Sequence, residues 1–320
     1  MPKALILGVD GQDGSYLVEF LLEKGYSVIG WIPAGIKVSL DHIQHVQDKI
    51  TLVEGDLKNQ ESLAYCLMEH QPEEIYNLAA PSSPVESWNL VIENGDVIAL
   101  GVARLLEAVR LNIPQARLYQ ASSSEIFGSP AEVPQSETTP YRPRNPYGIA
   151  KLYAHWLVVR YREHFNLFSV SGILFNHESP RRHPQFVTRK ISRRVAEIYL
   201  GLAQELRLGN LEAKRDWGFA KDYVRAMWMM LQNSKPVDYV IGTGEVHSVR
   251  EFCELAFSSL GMNYRDYVIQ DPELFRPSEE TQLIANPVKA RLELKWSPEV
   301  KFEDLVNMMV QADIKAISIQ

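Results

Sequence analysis

Two short stretches of this chain carry residues able to do acid–base chemistry. "NPYGIAK" spans residues 145 to 151 and puts Tyr147 four positions before Lys151. On a helix, positions i and i+4 share a face, so phenol and ammonium become neighbours. An ammonium close to a phenol favours the phenolate and lowers its pKa from about 10 toward the working range. Such a tyrosine can take a proton from a substrate hydroxyl while a hydride leaves the same carbon. "YQASSSEIFG", residues 119 to 128, ends an apolar run in three serines and a carboxylate, Glu125. Each stretch has an ordinary alternative: two surface residues on an amphipathic helix, and a polar loop after a strand. An isolated Y-x-x-x-K does not exclude it.

A third stretch weighs against that alternative. "GVDGQDG" places Gly8, Gly11 and Gly14 three apart, between the apolar run "KALILG" and the amphipathic "SYLVEFLLEKG". Glycines there permit a tight turn and bring the backbone close to a pyrophosphate at a helix N-terminus. A plain strand-to-helix turn is the competing reading. Strand before and helix after favour a dinucleotide loop. "GDL" (55 to 57) and "NLAA" (77 to 80) end later strands at the same sheet edge. Ligands of open α/β sheets bind at that carboxyl edge.

The elements that must hold these groups alternate in the first half. Strands are expected at 3–8, 27–32, 50–57, 74–80, in "ARLYQAS" and at 168–175. Helices are expected at 15–25, in "ESLAYCLMEH", over roughly 92 to 111, and from near Tyr147. This rhythm predicts an α/β fold, a doubly wound parallel sheet of the Rossmann type with helices on both faces. After Phe175 the rhythm breaks at "NHESPRRHPQF". Helices near 187–201, 219–232, 248–260 and 301–316, with a short strand "ELRLG", predict a smaller mixed α/β lobe. Residues 1–175 then form a dinucleotide-binding domain, to which about 211–245 return, and 176–320 a substrate lobe. Residues 263–285 show no clear period.

Bulk composition narrows the partners. The 320 residues are 46 % hydrophobic and 23 % charged, with a net charge of −7. No block of like charge marks a nucleic-acid or anionic-membrane surface. Two distant cysteines, Cys66 and Cys253, make neither a disulfide framework nor a metal cluster. With no signal-peptide pattern and no long apolar span, the expectation is a cytoplasmic protein without a metal.

These motifs together resemble the extended short-chain dehydrogenase/reductase family. "GILFNHESPRR", "FVTRKI", "LGNLEAKRDWGFAKDYVRAMW", "TGEVHSVREF" and "RPSE" resemble one branch of it, the GDP-mannose 4,6-dehydratases. The resemblance implies a lyase with an internally recycled NADP or NAD, a GDP-hexose substrate and a homodimer or homotetramer. It implies a catalytic set of Ser123, Glu125, Tyr147 and Lys151, with Ser123 in place of the family's threonine. Tyr147 would deprotonate the C4 hydroxyl, Ser123 would hold O4, and Glu125 would remove the C5 proton as water leaves C6. Cofactor contacts would come from Gly8, Gly11, Gln12, Asp13, Gly14, Asp56, Leu57, Leu78, Ala79, Ala80, Ser82, Lys151, His177 and Arg182. Substrate contacts would come from Asn176, Val187, Lys190, Arg215, Arg276 and Glu279. Arg181 and Arg189 lie in the same motifs, where arginine forks suit a diphosphate; ordinary solvated surface is the alternative for each.

The chain departs from the family around the cofactor. Pro33 and Ala34 in "WIPAGIKVS" stand where arginines grip the 2′-phosphate of NADP, and no acidic residue ends that strand. Lys37 is the nearest cation along the chain. Glu93 replaces a cofactor-contacting tyrosine, "LAAPSSPVES" differs from the usual loop, Phe219 replaces a histidine, and "ANPVKA" lacks an aspartate. Weak discrimination between NADP and NAD is therefore expected. Two other functions fit parts of the pattern: a GDP-4-keto-6-deoxyhexose reductase or epimerase, and a catalytically silent nucleotide-sugar-binding subunit.

Overall fold

The computed structural model describes residues 1–275 and 282–318. Its centre is a parallel sheet of β1 (Lys3–Leu7), β2 (Ser27–Pro33), β3 (Thr51–Gly55), β4 (Glu74–Asn77), β5 (Arg117–Ala121), β6 (Ser169–Leu174) and β7 (Tyr239–Ile241). The order across the sheet is β7-β6-β5-β4-β1-β2-β3. β1 shows why its sequence is apolar without alternation. Ala4 and Ile6 enter the core on one face, and Leu5 and Leu7 enter the core on the other. A strand covered on both sides has no face left for polar residues.

The helices supply the two covers. α1 (Gln12–Glu23) and α7 (Ala220–Gln232) pack on the Ala4 face. α2 (Gln60–His70), α4 (Gly101–Asn112) and α5 (Pro146–Phe165) pack on the Leu5 face. β1 pairs with β2 on one side and β4 on the other, so the connections diverge there. That divergence opens a crevice beyond the carboxyl ends of the strands.

The smaller lobe extends the core of the Ala4 face. It holds α6 (Val187–Tyr199), α8 (Val249–Ser258) and α9 (Phe302–Ser318). Ser192 on α6 donates to Asp313 on α9 at 2.7 Å, and Arg189 forms an ion pair with the same carboxylate. Three two-stranded pairs edge the lobe: Asn176–Glu178 with Trp217–Phe219, Lys214–Arg215 with His247–Ser248, and Leu206–Leu208 with Val268–Gln270.

Three features differ from the sequence expectation. The helix expected over roughly 92 to 111 is α3 (Val91–Asn94), a π-helical segment Gly95–Leu100 and then α4. The three-residue β7 was not expected and forms a sheet edge against β6. The described part of 263–285 contains a short strand and 3₁₀ turns between Tyr264 and Leu274, and Gln135 accepts from Ile284 N at 2.8 Å.

Candidate active site

A cavity of about 420 Å³ lies at the carboxyl ends of β1 to β4. Its wall includes Gly8, Asp10, Gly11, Asp56, Leu57, Leu78, Ala79 and Ala80. The N-terminus of α1 opens beside it at Gly11, whose side-chain-free cap leaves the first backbone N–H groups of the helix available to an anion. Gly14 serves a different purpose. A Cβ there would collide with the Gly8 carbonyl and come within 2.7 Å of the Val9 Cα, so only glycine lets α1 sit this close to the loop. The resulting cradle fits the pyrophosphate and adenosine half of a dinucleotide. Trp31, Pro33 and Ala34 from the end of β2 form the far wall. Lys58 and Glu93 line it as a pair 3.6 Å apart. Ser82 is exposed and stands outside this wall.

The catalytic candidates meet where β5 ends. Ser123 leaves the strand in extended conformation and caps the 3₁₀ turn Ser124–Ile126, its Oγ accepting from Glu125 N at 3.2 Å. α5 begins opposite. Asn145 caps it by accepting from Gly148 N at 2.7 Å, and Pro146 occupies the first turn, where a missing N–H costs nothing. The same Asn145 side chain donates to Glu125 Oε2 at 2.7 Å. A Cβ on Gly148 would lie 2.6 Å from the Glu125 carbonyl, so a glycine is what lets the helix start touch the carboxylate turn. Tyr147 packs against Ile98 and Ala80, which joins the corner that holds these candidates to the cavity wall. The π-helical segment serves both places at successive positions: Val97 lines the cavity and Ile98 meets Tyr147.

Tyr147 and Lys151 share a helix face as the spacing predicts, but the phenol is not pulled down. Burial pushes Tyr147 up to about 12, a hydrogen bond with Ser123 opposes the rise, and Glu125 adds to it. Burial also pushes Lys151 down to about 8. The ammonium donates to the Ala121 carbonyl at 2.8 Å and lies 5.6 Å from the Tyr147 ring centre. Desolvation disfavours both charged forms here more strongly than their proximity favours them.

A polar network ties the glycine loop to the smaller lobe. Asp13 Oδ2 lies 2.7 Å from His177 Nε2, and His177 Nδ1 lies 2.7 Å from the Phe175 carbonyl. Desolvation opposes the charge on each, yet the opposite charge and shared hydrogen bond win: Asp13 is lowered and His177 raised. Gln12 donates to the His177 carbonyl at 3.1 Å and accepts from Ser179 at 2.7 Å. Arg182 pairs with the buried Glu178 at 3.1 Å and covers the Phe186 ring.

The substrate-lobe candidates divide. Asn176 begins a strand pair whose Trp217–Phe219 partner leads into α7. Val187 opens α6 and packs on the core. Lys190 donates to the Arg207 carbonyl at 2.9 Å, and Arg215 lies in register with His247. Arg276 and Glu279 lie outside the described residues. Arg181 and Arg189 are engaged internally: Arg181 pairs with Glu19 on α1 and covers Tyr16, while Arg189 pairs with Asp313. Their partners come from distant helices, which no local motif reveals. Asn145 is the residue missed by the sequence reading; an Asn-Pro step opening a helix was its available signal. Among the described residues no cluster of three or more His, Cys, Asp or Glu could hold a metal. No helix there is long and apolar enough to cross a membrane. Cys66 and Cys253 are buried, with thiols pushed up to about 12 by desolvation.

Comparison with known proteins places these features in a family. The GDP-mannose 4,6 dehydratase family model matches residues 5–309. The GDP-mannose 4,6 dehydratase of Homo sapiens is 48% identical over 98% of this chain and 91% of its own length. GDP-mannose 4,6 dehydratase 1 of Arabidopsis thaliana is 49% identical over 98% of this chain and 90% of its own. Among solved structures, UDP-glucose 4-epimerase of Thermus thermophilus, in complex with NAD, superposes with a TM-score of 0.85 at 26% identity, covering 97% of this chain and 98% of that one. DesIV, a dTDP-glucose 4,6-dehydratase from Streptomyces venezuelae, has a TM-score of 0.87 at 22% identity, covering 99% and 98%, and shows the same fold.

Proposed function

The chain belongs to the GDP-mannose 4,6-dehydratase family, and we propose that Ser123, Glu125, Tyr147 and Lys151 carry out its lyase reaction on the sugar of GDP-mannose. The product is a GDP-4-keto-6-deoxyhexose. The carrying observation is the contact between the start of α5 and the turn after β5, which sets Glu125 beside the Tyr147 helix.

A nicotinamide dinucleotide fits the cavity of about 420 Å³ and the α1 N-terminus beside it. The NAD complex of the Thermus thermophilus epimerase supports that reading. Gly8, Gly11 and the first turn of α1 would hold the pyrophosphate, and Lys151, anchored on the Ala121 carbonyl, would offer its remaining donors to ribose hydroxyls. When bound, the nicotinamide supplies reversible hydride acceptance.

The residues then divide the proton work. Tyr147 takes the proton of the C4 hydroxyl. A phenol pushed up to about 12 is a strong base once ionised, and both the Ser123 hydrogen bond and the Arg182 charge favour that ionised form. Ser123 holds O4. The carbonyl formed at C4 acidifies C5–H; Glu125 removes that proton and, now protonated, gives it to the C6 hydroxyl, which departs as water. Asn145 fixes the carboxylate for this role by donating to one oxygen, leaving the other to face C5–H. A plain reductase needs no such carboxylate, so Glu125 is what favours elimination over simple reduction. Asn176, Val187, Lys190, Arg215, Arg276 and Glu279 would contact the GDP moiety.

The test is to incubate the purified protein with GDP-mannose and no added reduced nucleotide. A product lighter by one water supports the reading. Unchanged GDP-mannose, or turnover that consumes a reduced nucleotide stoichiometrically, refutes it.

A further inference from the structure

We propose that Asp10 makes this enzyme an NAD-selective member of its family, by binding the adenosine ribose hydroxyls and repelling a 2′-phosphate. The proposal rests on the cavity being the nicotinamide dinucleotide site. Nucleotide enzymes of this fold read the 2′ position at the end of the second strand, with an acidic residue for the diol or an arginine for the phosphate. Here that place is held by Pro33 and Ala34, which carry no charge, although both line the cavity. Asp10 lines the same cavity from the glycine loop, whose Gly8 N–H donates to the Trp31 carbonyl of β2, and so sets a carboxylate beside that uncharged place.

The charge of the wall points the same way. Its ionisable residues are Asp10, Asp56, Lys58 and Glu93: three carboxylates against one ammonium. That ammonium already faces Glu93 at 3.6 Å. Lys37, the cation nearest along the chain, is exposed and not part of the wall. A 2′-phosphate brings nearly two further negative charges into a space with an excess of two. A ribose diol brings two O–H donors and no charge. Half-burial pushes the Asp10 carboxyl up from its ordinary value, so its ionised form gains from donors and loses from a second anion. Trp31, 2 % exposed, walls the cavity and lies against Gly55, where a Cβ would overlap the indole. The wall at that end is therefore apolar, and the cation that follows β3, Lys58, is already paired with Glu93.

The test strips the protein of nucleotide and titrates NAD and NADP by calorimetry, with Asp10→Asn as the variant and Asp10→Ser in reserve should the amide not fold. NAD should bind the parent at least about tenfold tighter than NADP, a difference of about 1.4 kcal/mol. Asp10→Asn should shrink that ratio by tightening NADP while NAD weakens slightly. Added salt should shrink the parent's ratio by screening the repulsion. NADP binding as tightly as NAD, or an Asp10→Asn change equal for both nucleotides, overturns the role of Asp10 and leaves the cofactor site standing. Binding of neither nucleotide overturns the cofactor reading and this proposal together.

Discussion

Glu125 is held from two sides, its backbone N–H by Ser123 and one carboxylate oxygen by Asn145. Glu125→Gln keeps that shape and removes the basicity. Substrate binding draws on the remote nucleotide, so KM should change little. The rate should fall on the order of 10²–10⁴-fold, the usual worth of a general base, read as kcat by product mass. Near-normal turnover would remove Glu125 from the chemistry. Lys151 offers a pH test. Its folded pKa of about 8 lies below the ordinary value of 10.5, so the unfolded chain binds more protons between those values. Stability conferred at this site therefore rises as pH climbs from 8 to 10.5, and below 8 the buried charge costs on the order of 3 kcal/mol. Lys151→Met is freed of that cost. The melting temperature of the variant relative to the parent should be highest near pH 7 and decline toward pH 10. A difference independent of pH would show that Lys151 titrates normally. Spacing alone revealed that Tyr147 and Lys151 are neighbours. It did not reveal the direction of their pKa shifts, because burial is a tertiary effect that outweighs the pairwise one.

At the scale of the element, α5 is the piece that assembles the site. Its cap, Asn145, does two jobs that an ordinary cap does not combine: it accepts from Gly148 N and donates to Glu125. Asn145→Ala should cost about 0.5–2 kcal/mol of stability through the lost cap. It should also lower kcat. Asn145→Ser keeps a side-chain acceptor for the cap and loses the amide donor to Glu125. It should therefore recover stability by thermal melting without recovering kcat, which a purely structural role would not produce. Recovery of both would assign Asn145 to the helix alone. The helix itself was legible from its period and from Asn-Pro at its start. The contact with Glu125 was not, since it joins residues 20 apart in sequence. Likewise the helix expected over 92 to 111 was legible, and its π-helical segment was not, because Gly95–Leu100 reads as ordinary helical sequence and its contact with Tyr147 is made only on folding.

At the scale of the whole molecule, the parallel sheet was legible because strands buried on both faces read as unbroken apolar runs. β7 was not, being three residues long. Arg181 and Arg189 show the same limit for charge: their sequence suits a diphosphate, and their partners Glu19 and Asp313 are supplied only by folding. The finished molecule sets the proposed acid–base corner beside the cavity proposed for the dinucleotide, joined through Ala80 and the π-helical segment. In that arrangement one sugar is to be oxidised, dehydrated and reduced again without leaving the corner. GDP-mannose deuterated at C4 tests this most directly, in ordinary water and without added reduced nucleotide. The expected result is a dehydrated product that carries the label at C6, with a solvent proton at C5. A dehydrated product without label at C6, or no dehydrated product at all, would contradict it.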